Sequence, residues 1–168
     1  MKKIVLGAFL VFGAFLLQAT FFSQFNILGI VPNLLIILTS AIGFLEGRKA
    51  GMAVGFVSGL LLDTFFGTVY GVNAMFFTWI GFANGSFQKI LYPKDIKTPL
   101  VLIAGSDLVY SIIFYFFHFF LIGDFKILYY TIHVIIPEVI YTTIIALLFY
   151  PFIHFCFTKL EEMEKKGE

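Results

Sequence analysis

Six apolar runs, separated only by short polar, charged or glycine-containing turns, determine the class of fold available to this chain. Hydrophobic residues make up 60% of the chain and charged residues only 12%, so no stretch is left for an aqueous domain. A helix rises about 1.5 Å per residue, and about 20 apolar residues cross the hydrocarbon core of a bilayer. The sequence therefore predicts an all-α integral membrane protein, a bundle of six transmembrane helices.

The six predicted spans form a single domain over residues 1–158, and a short charged tail over 159–168 follows. The spans cover about 4–22, 25–45, 50–66, 72–87, 99–120 and 128–155. A charged start and an apolar middle also describe a signal peptide. The first run is about 19 residues long and lacks a good small-residue cleavage site, which favours its retention as a helix.

The basic residues predict the orientation of the bundle. Six spans place both termini on one side of the membrane, and of the 11 Lys and Arg residues only Lys126 falls on the other side. Positive charge concentrates in cytoplasmic loops, so both termini are expected to be cytoplasmic. These charges are scattered over short loops rather than gathered on one face, which argues against nucleic-acid binding.

A row of small residues marks the third predicted span. Gly51, Gly55 and Gly59 recur every fourth residue and lie along one helical face, where a bare backbone lets another helix approach closely. Asp63 continues the same row. We predict a helix-packing groove for a partner, formed by Gly51, Gly55, Gly59, Asp63, Gly67 and Gly71.

Five other polar or helix-breaking residues inside the predicted spans are functional candidates: Pro32, Asn33, Asn73, Asp107 and Glu138. Pro32 should bend the second span, and the Asn33 side chain can satisfy the backbone groups that the bend frees; a packed kink is favoured over a ligand contact. Asp107 and Glu138 both fall about 14 Å into the membrane, near its midplane.

Three interpretations of the buried carboxylates Asp63, Asp107 and Glu138 stay open. They could form a proton or cation path, since acidic residues at such depth often mark one. They could bind other membrane helices through hydrogen bonds, or they could bind groups within the bundle. No second sign of transport is present, so the last two interpretations are favoured.

The sequence predicts neither a catalytic site nor a metal site, and no cofactor. Ser58 lies in a stretch like the serine motif of rhomboid proteases, but the spacing differs by one residue. His133 and Glu138 are five residues apart and do not share a helical face. Cys156 is the only cysteine, and no Cys/His spacing fits zinc. We therefore expect that the protein is not an enzyme.

Several of these motifs occur together in a known family. The set consists of Pro32-Asn33-Leu34-Leu35, Gly47, the glycine row, Leu60-Leu61-Leu62-Asp63, Gly67 and Gly71. In this order it resembles the rod shape-determining protein MreD family. Length and number of spans fit over the whole chain, and the specific motifs lie within residues 32–81.

This resemblance implies a function and a set of partners. MreD-like proteins are non-catalytic scaffolds of the cell-elongation machinery that builds peptidoglycan, in the bacterial cytoplasmic (inner) membrane. The implied partners are an MreC-like single-span protein, the actin-like MreB, and the elongation glycosyltransferase and transpeptidase. The predicted groove would hold the transmembrane and juxtamembrane helix of the MreC-like partner. The loop that carries Lys89, Lys94 and Lys97 is expected to contact membrane lipid.

The resemblance also supplies an alternative function. The MreD fold is thought similar to the substrate-binding S components of energy-coupling-factor transporters, which bind a vitamin or micronutrient in an outward pocket. S components usually carry two alanines four apart in the first helix. Ala8, Ala14 and Ala19 have a different spacing, which disfavours the transporter alternative.

Overall fold

The computed structural model describes residues 2–25, 29–67, 69–91, 96–122 and 127–166, except for the side chains of 118–122, 127 and 166. Lys94 and Lys126, which entered the charge and loop arguments, lie outside the described residues, as do the last two residues of the predicted tail. The described residues form six helical segments.

The six helices follow the chain in order. Helix α1 covers Lys2–Leu17 and continues as a π-helical turn over Gln18–Phe22; α2 covers Leu34–Glu46, α3 Arg48–Phe65, α4 Val72–Phe87 and α5 Lys97–Ile122. Helix α6 consists of Ile127–Tyr130, a π-helical turn over Thr131–Ile135, and Ile136–Lys166. Three described segments are long and apolar enough to cross a membrane: Lys2–Phe22, Lys97–Phe117 and Leu128–Lys165.

Helix α2 differs from the second predicted span, which began at residue 25. Gly29 has φ +83, a left-handed conformation that ends regular helix, and Pro32 offers no backbone donor. Asn33 then caps the helix, because its side-chain oxygen accepts the Ile36 N–H at 3.2 Å. Pro32 and Asn33 therefore precede a helix start instead of a kink. At 13 residues, α2 is about 20 Å long, less than the thickness of a bilayer core.

Helix α2 is the centre of the bundle. Every residue from Leu34 to Phe44 is buried, and the helix contacts α1, α3, α4, α5 and α6. A helix that is apolar on all sides is expected to be enclosed by other helices. The core therefore surrounds α2, and the other helices shield it from lipid.

Helices α3 and α4 form the closest-packed pair. A Cβ added at Gly51 would overlap the carbonyl oxygen of Gly81, and one added at Gly55 would overlap the carbonyl oxygen of Phe77. At Gly59 the added atom would overlap the Cα of Ala74. The glycine row is thus the face of α3 that contacts α4, where only a bare backbone leaves enough room.

The start of α1 and the last turns of α6 lie at the same end of the bundle, where a small ion-pair cluster joins them. The Lys3 ammonium lies 2.9 Å from a carboxylate oxygen of Glu46 and 2.8 Å from one of Glu161. These contacts join the start of α1 to the end of α2 and to the last turns of α6. The opposite end of the bundle contains the turn between α3 and α4 and the start of α6.

Candidate functional site

Asp63 lies at the end of α3 and is only 1% exposed. Its carboxylate accepts four hydrogen bonds: from the N–H groups of Gly71 at 2.9 Å, Asn73 at 3.1 Å and Ala74 at 3.0 Å, and from the Asn73 side-chain amide at 2.9 Å. The first N–H groups of a helix have no acceptor within it, and a negative charge there is stabilising. Asp63 therefore caps α4. Of the three interpretations, hydrogen bonding within the bundle applies to this residue.

The residues around Asp63 complete the turn. Gly71 has φ +93, which favours glycine, and a Cβ at Gly67 would lie 2.7 Å from the Cα of Asp63. The side-chain oxygen of Asn73 accepts the Tyr110 hydroxyl at 2.6 Å, which joins the turn to α5. The structure thus brings Asp63 together with Gly71 and Asn73 through hydrogen bonds, and Gly67 packs closely against the backbone of Asp63.

The predicted partner groove does not lie open on the glycine row. Gly51, Gly55 and Gly59 pack against α4 of the same chain, so another helix could use this face only by displacing α4. The small residues explain an intramolecular contact. Their role in binding a partner stays a prediction.

An open apolar groove lies instead between α4 and α5, with a volume of about 630 Å³. We call it the α4–α5 groove. Its walls include Trp79 and Met75 of α4 and Val101, Gly105 and Val109 of α5. These two helices have few direct contacts, so the space between them is left for lipid or another helix.

Asn84 lies at the base of the α4–α5 groove. Its side-chain nitrogen lies 2.8 Å from the Ser106 hydroxyl and 3.3 Å from the Ser40 hydroxyl. Its side-chain oxygen is buried without a hydrogen-bond partner. The groove therefore combines apolar walls with a buried side-chain oxygen, that of Asn84, which accepts no hydrogen bond.

A second cavity, of about 350 Å³, lies at the end of the bundle opposite the termini. We call it the polar cavity, since its walls contain Gln18, Asn33, Tyr110, Ser111, Tyr115 and Glu138. Gln18 begins the π-helical turn of α1, and Val134, from the π-helical turn of α6, also lines the cavity. Such turns often occur at functional sites.

Asp107 lies one helical turn before Ser111 on the same face of α5 and is 0% exposed. It lies beside Thr142, but neither of its carboxylate oxygens makes a hydrogen bond of good geometry. The Thr142 hydroxyl accepts the Asn33 N–H at 3.2 Å. Glu138 interacts electrostatically with Asp107. Three of the predicted polar residues, Asn33, Asp107 and Glu138, thus lie in or beside one cavity.

A comparison with family sequence models shows the relationship of the chain to known proteins. The model of the rod shape-determining protein MreD family matches residues 1–160 of the 168. The chain belongs to the MreD family. No curated protein and no solved structure matches it. Membership implies a role of this membrane protein in determining rod shape.

Within this MreD-family protein, several residues of the polar cavity were missed by the sequence analysis. Ser111 and Tyr110 follow Asp107 by four and three residues, so a search of its helical face could have found them. Gln18 offered no such signal, because it comes from a different helix. Among the described residues, no group of three His, Cys, Asp or Glu side chains could hold a metal ion.

Proposed function

We propose that this MreD-family protein is a non-catalytic scaffold of the bacterial cell-elongation machinery. It crosses the cytoplasmic membrane six times with both termini in the cytoplasm, and it binds the transmembrane helix of an MreC-like single-span protein. Family membership supports the process, and the α4–α5 groove is the observation that supports the binding.

The shape of the α4–α5 groove suits a helix. A Cβ added at Gly105 would have no neighbour within 4 Å, so the backbone of α5 is open to close approach. Helices associate in membranes through such van der Waals contact and through hydrogen bonds between polar side chains. The unpartnered Asn84 oxygen can accept a hydroxyl donor from the partner.

The packing of the hairpin gives this surface its rigidity. Helix α4 is held along its length by the glycine row and at its start by Asp63, so it presents a fixed wall to the partner. A fixed wall can favour one conformation or oligomer of the MreC-like protein. The glycosyltransferase, the transpeptidase and MreB would be reached directly or through that partner, while Lys89 and Lys97 contact anionic lipid.

Filling the groove tests this function. Val109→Trp places bulk inside the α4–α5 groove, and Ile144→Trp is the matched control on α6, since both positions carry a β-branched residue at 52% and 53% exposure. Tagged variants are purified in mild detergent with the co-expressed MreC-like protein. We expect Val109→Trp to weaken capture by about tenfold, equivalent to about 1.4 kcal/mol, and Ile144→Trp to leave it unchanged.

The yield of each variant in the membrane fraction controls for insertion. Equal capture by both variants, at equal yield, would exclude the groove as the partner site. Co-purification with paired ATPases and a coupling membrane subunit, in place of the MreC-like protein, would favour the alternative function as the S component of a transporter.

A further inference from the structure

We propose that the polar cavity binds a small organic cation, an amine with an apolar body. This inference goes beyond the scaffold function and does not depend on it. The volume of about 350 Å³ falls at the lower end of the range typical of small-molecule sites, about 300–1,000 Å³.

Unpartnered buried groups carry the inference. Ser111 lines the cavity and is only 1% exposed, yet its hydroxyl has no hydrogen-bond partner. Asp107, one turn away on the same face, lies beside Thr142, and its two buried oxygens make no hydrogen bond of good geometry. Native proteins leave few buried polar groups without a partner, because each one is costly. The two residues indicate that a hydrogen-bond donor belongs at this place.

The charges of the cavity select a cation. Glu138 lines it and interacts electrostatically with Asp107, whereas no Lys or Arg side chain is part of its described walls. Two neighbouring carboxyl groups in a poorly solvated site favour a positive charge near them over a negative one. An ammonium group supplies both that charge and several donors.

The start of α2 also borders this cavity, and free N–H groups at a helix start could bind an anion. Here those N–H groups already have acceptors. The Asn33 N–H already donates to the Thr142 hydroxyl at 3.2 Å, and the Leu35 N–H donates to the Gln18 side-chain oxygen at 3.3 Å. The Ile36 N–H donates to the Asn33 side chain. Because these helix-terminal donors have acceptors within the chain, they do not favour an anion. The groups of the cavity without partners are acceptors, which favour a ligand that carries donors and positive charge.

The remaining walls suit an apolar body. Leu62, Phe66, Phe114 and Val134 line the cavity, and the rings of Tyr110 and Phe114 stack at 5.5 Å between centroids. Aromatic faces attract cations as well as apolar groups. Apolar walls with a few convergent polar groups are the usual composition of a small-molecule site.

A series of three probes of similar size tests the sign of the charge. The thermal-unfolding midpoint of the purified full-length chain is measured in detergent with benzylamine, benzyl alcohol or benzoate at equal concentration. A ligand that binds only the folded state raises the midpoint as its concentration rises. We expect benzylamine to raise it, and the neutral and anionic analogues to have little effect.

Two variants locate the site. Asp107→Asn and Ser111→Ala should each weaken benzylamine binding by about tenfold, since each removes an acceptor for a charged donor. Ser58→Ala is the matched control: Ser58 is 0% exposed and also has an unpartnered hydroxyl, but it does not line the polar cavity. If Asp107→Asn does not fold, benzylamine binding is compared between Ser111→Ala and Ser58→Ala. Weaker binding by Ser111→Ala alone would place the ligand in the polar cavity.

A lipid headgroup can supply the same ammonium group. The chain in nanodiscs of phosphatidylglycerol is therefore compared with the chain in nanodiscs that also contain phosphatidylethanolamine. Stabilisation by phosphatidylethanolamine that Ser111→Ala abolishes would identify a lipid amine as the source, and an effect of benzylamine alone would identify a free amine. Equal stabilisation by benzyl alcohol, or benzylamine binding that neither Asp107→Asn nor Ser111→Ala weakens, would overturn the proposal.

Discussion

Two buried aspartates of this chain, Asp63 and Asp107, lie in opposite surroundings. Asp63 accepts four hydrogen bonds from the start of α4, in the most closely packed part of the bundle. Asp107 accepts none of good geometry and lies beside a cavity between α1, α5 and α6. The same residue type therefore stabilises the fold at position 63, whereas at position 107 its burial lowers the stability of the fold.

Hydrogen bonding distinguishes a structural from a functional role for these two residues, whereas burial does not, because both side chains are buried. A carboxylate whose donors all come from its own chain is explained by folding. A carboxylate without donors costs stability, so its presence requires another reason, such as a ligand. The Asp63 carboxylate thus has a structural role at the turn between α3 and α4, and the cavity beside α5 is where an unassigned function is expected.

Of the substitutions that test this difference between the two aspartates, replacing Asp63 should lower the free energy of unfolding the most. Asp63→Leu leaves the first N–H groups of α4 without acceptors, and each such group costs about 1–3 kcal/mol, so we expect a loss of about 4 kcal/mol or more in the free energy of unfolding. Asp63→Asn keeps an acceptor oxygen and should lose about half as much. Denaturation with SDS in mixed micelles measures both. An equal loss would mean that the hairpin needs the charge and not the hydrogen bonds.

A single methyl group in the glycine row should have an intermediate effect. Gly55→Ala places a Cβ against the Phe77 carbonyl oxygen, and we expect it to lower the free energy of unfolding by about 1–3 kcal/mol. Gly105→Ala is the control, since its Cβ meets no neighbour within 4 Å and alanine favours helix by about 1 kcal/mol. The same denaturation measurement applies. Equal results would show that α3 and α4 are not packed backbone to backbone.

Asp107→Asn should have the smallest effect in the absence of ligand. The substitution replaces a buried carboxyl group that makes no hydrogen bond of good geometry with an uncharged amide, so we expect stability to be unchanged or to rise by up to about 1 kcal/mol. Asp63→Asn, measured beside it, should lower stability. Similar losses from both asparagine variants would show that Asp107 has donors within the fold and would remove the contrast between the two aspartates.

The sequence predicted the local elements better than their arrangement. Helix α4 covers Val72–Phe87, the same range as the predicted fourth span, because the apolar run begins after Gly71 and ends before the polar residues Gln88 and Lys89. The second span was predicted too long, since its apolar residues continue through a segment where Gly29 and Pro32 prevent regular helix. Hydropathy reports an apolar environment and does not report the backbone conformation within it.

The candidate sites show the same limit. The glycine row correctly indicated a close helix contact, but spacing alone could not tell whether the neighbour is α4 or another chain. Asp107 and Glu138 were expected at a similar depth, yet depth does not show that Asp107 lies beside the cavity that Glu138 lines. That cavity depends on contacts between residues more than 100 positions apart, such as Asn33 with Thr142, and no local pattern encodes them.

The start of α2 has a consequence for how the protein is made. The acceptor for the Asn33 N–H is Thr142, 109 residues later and in α6, which is synthesised after the other five described helices. Until that helix arrives, the irregular backbone before α2 cannot enter hydrocarbon, where an unpaired donor costs several kcal/mol. We therefore expect α2 to complete its insertion into the membrane only after α6 has been made. Before α6 is made, we expect α2 and the irregular backbone that precedes it to remain in contact with water or with the insertion machinery.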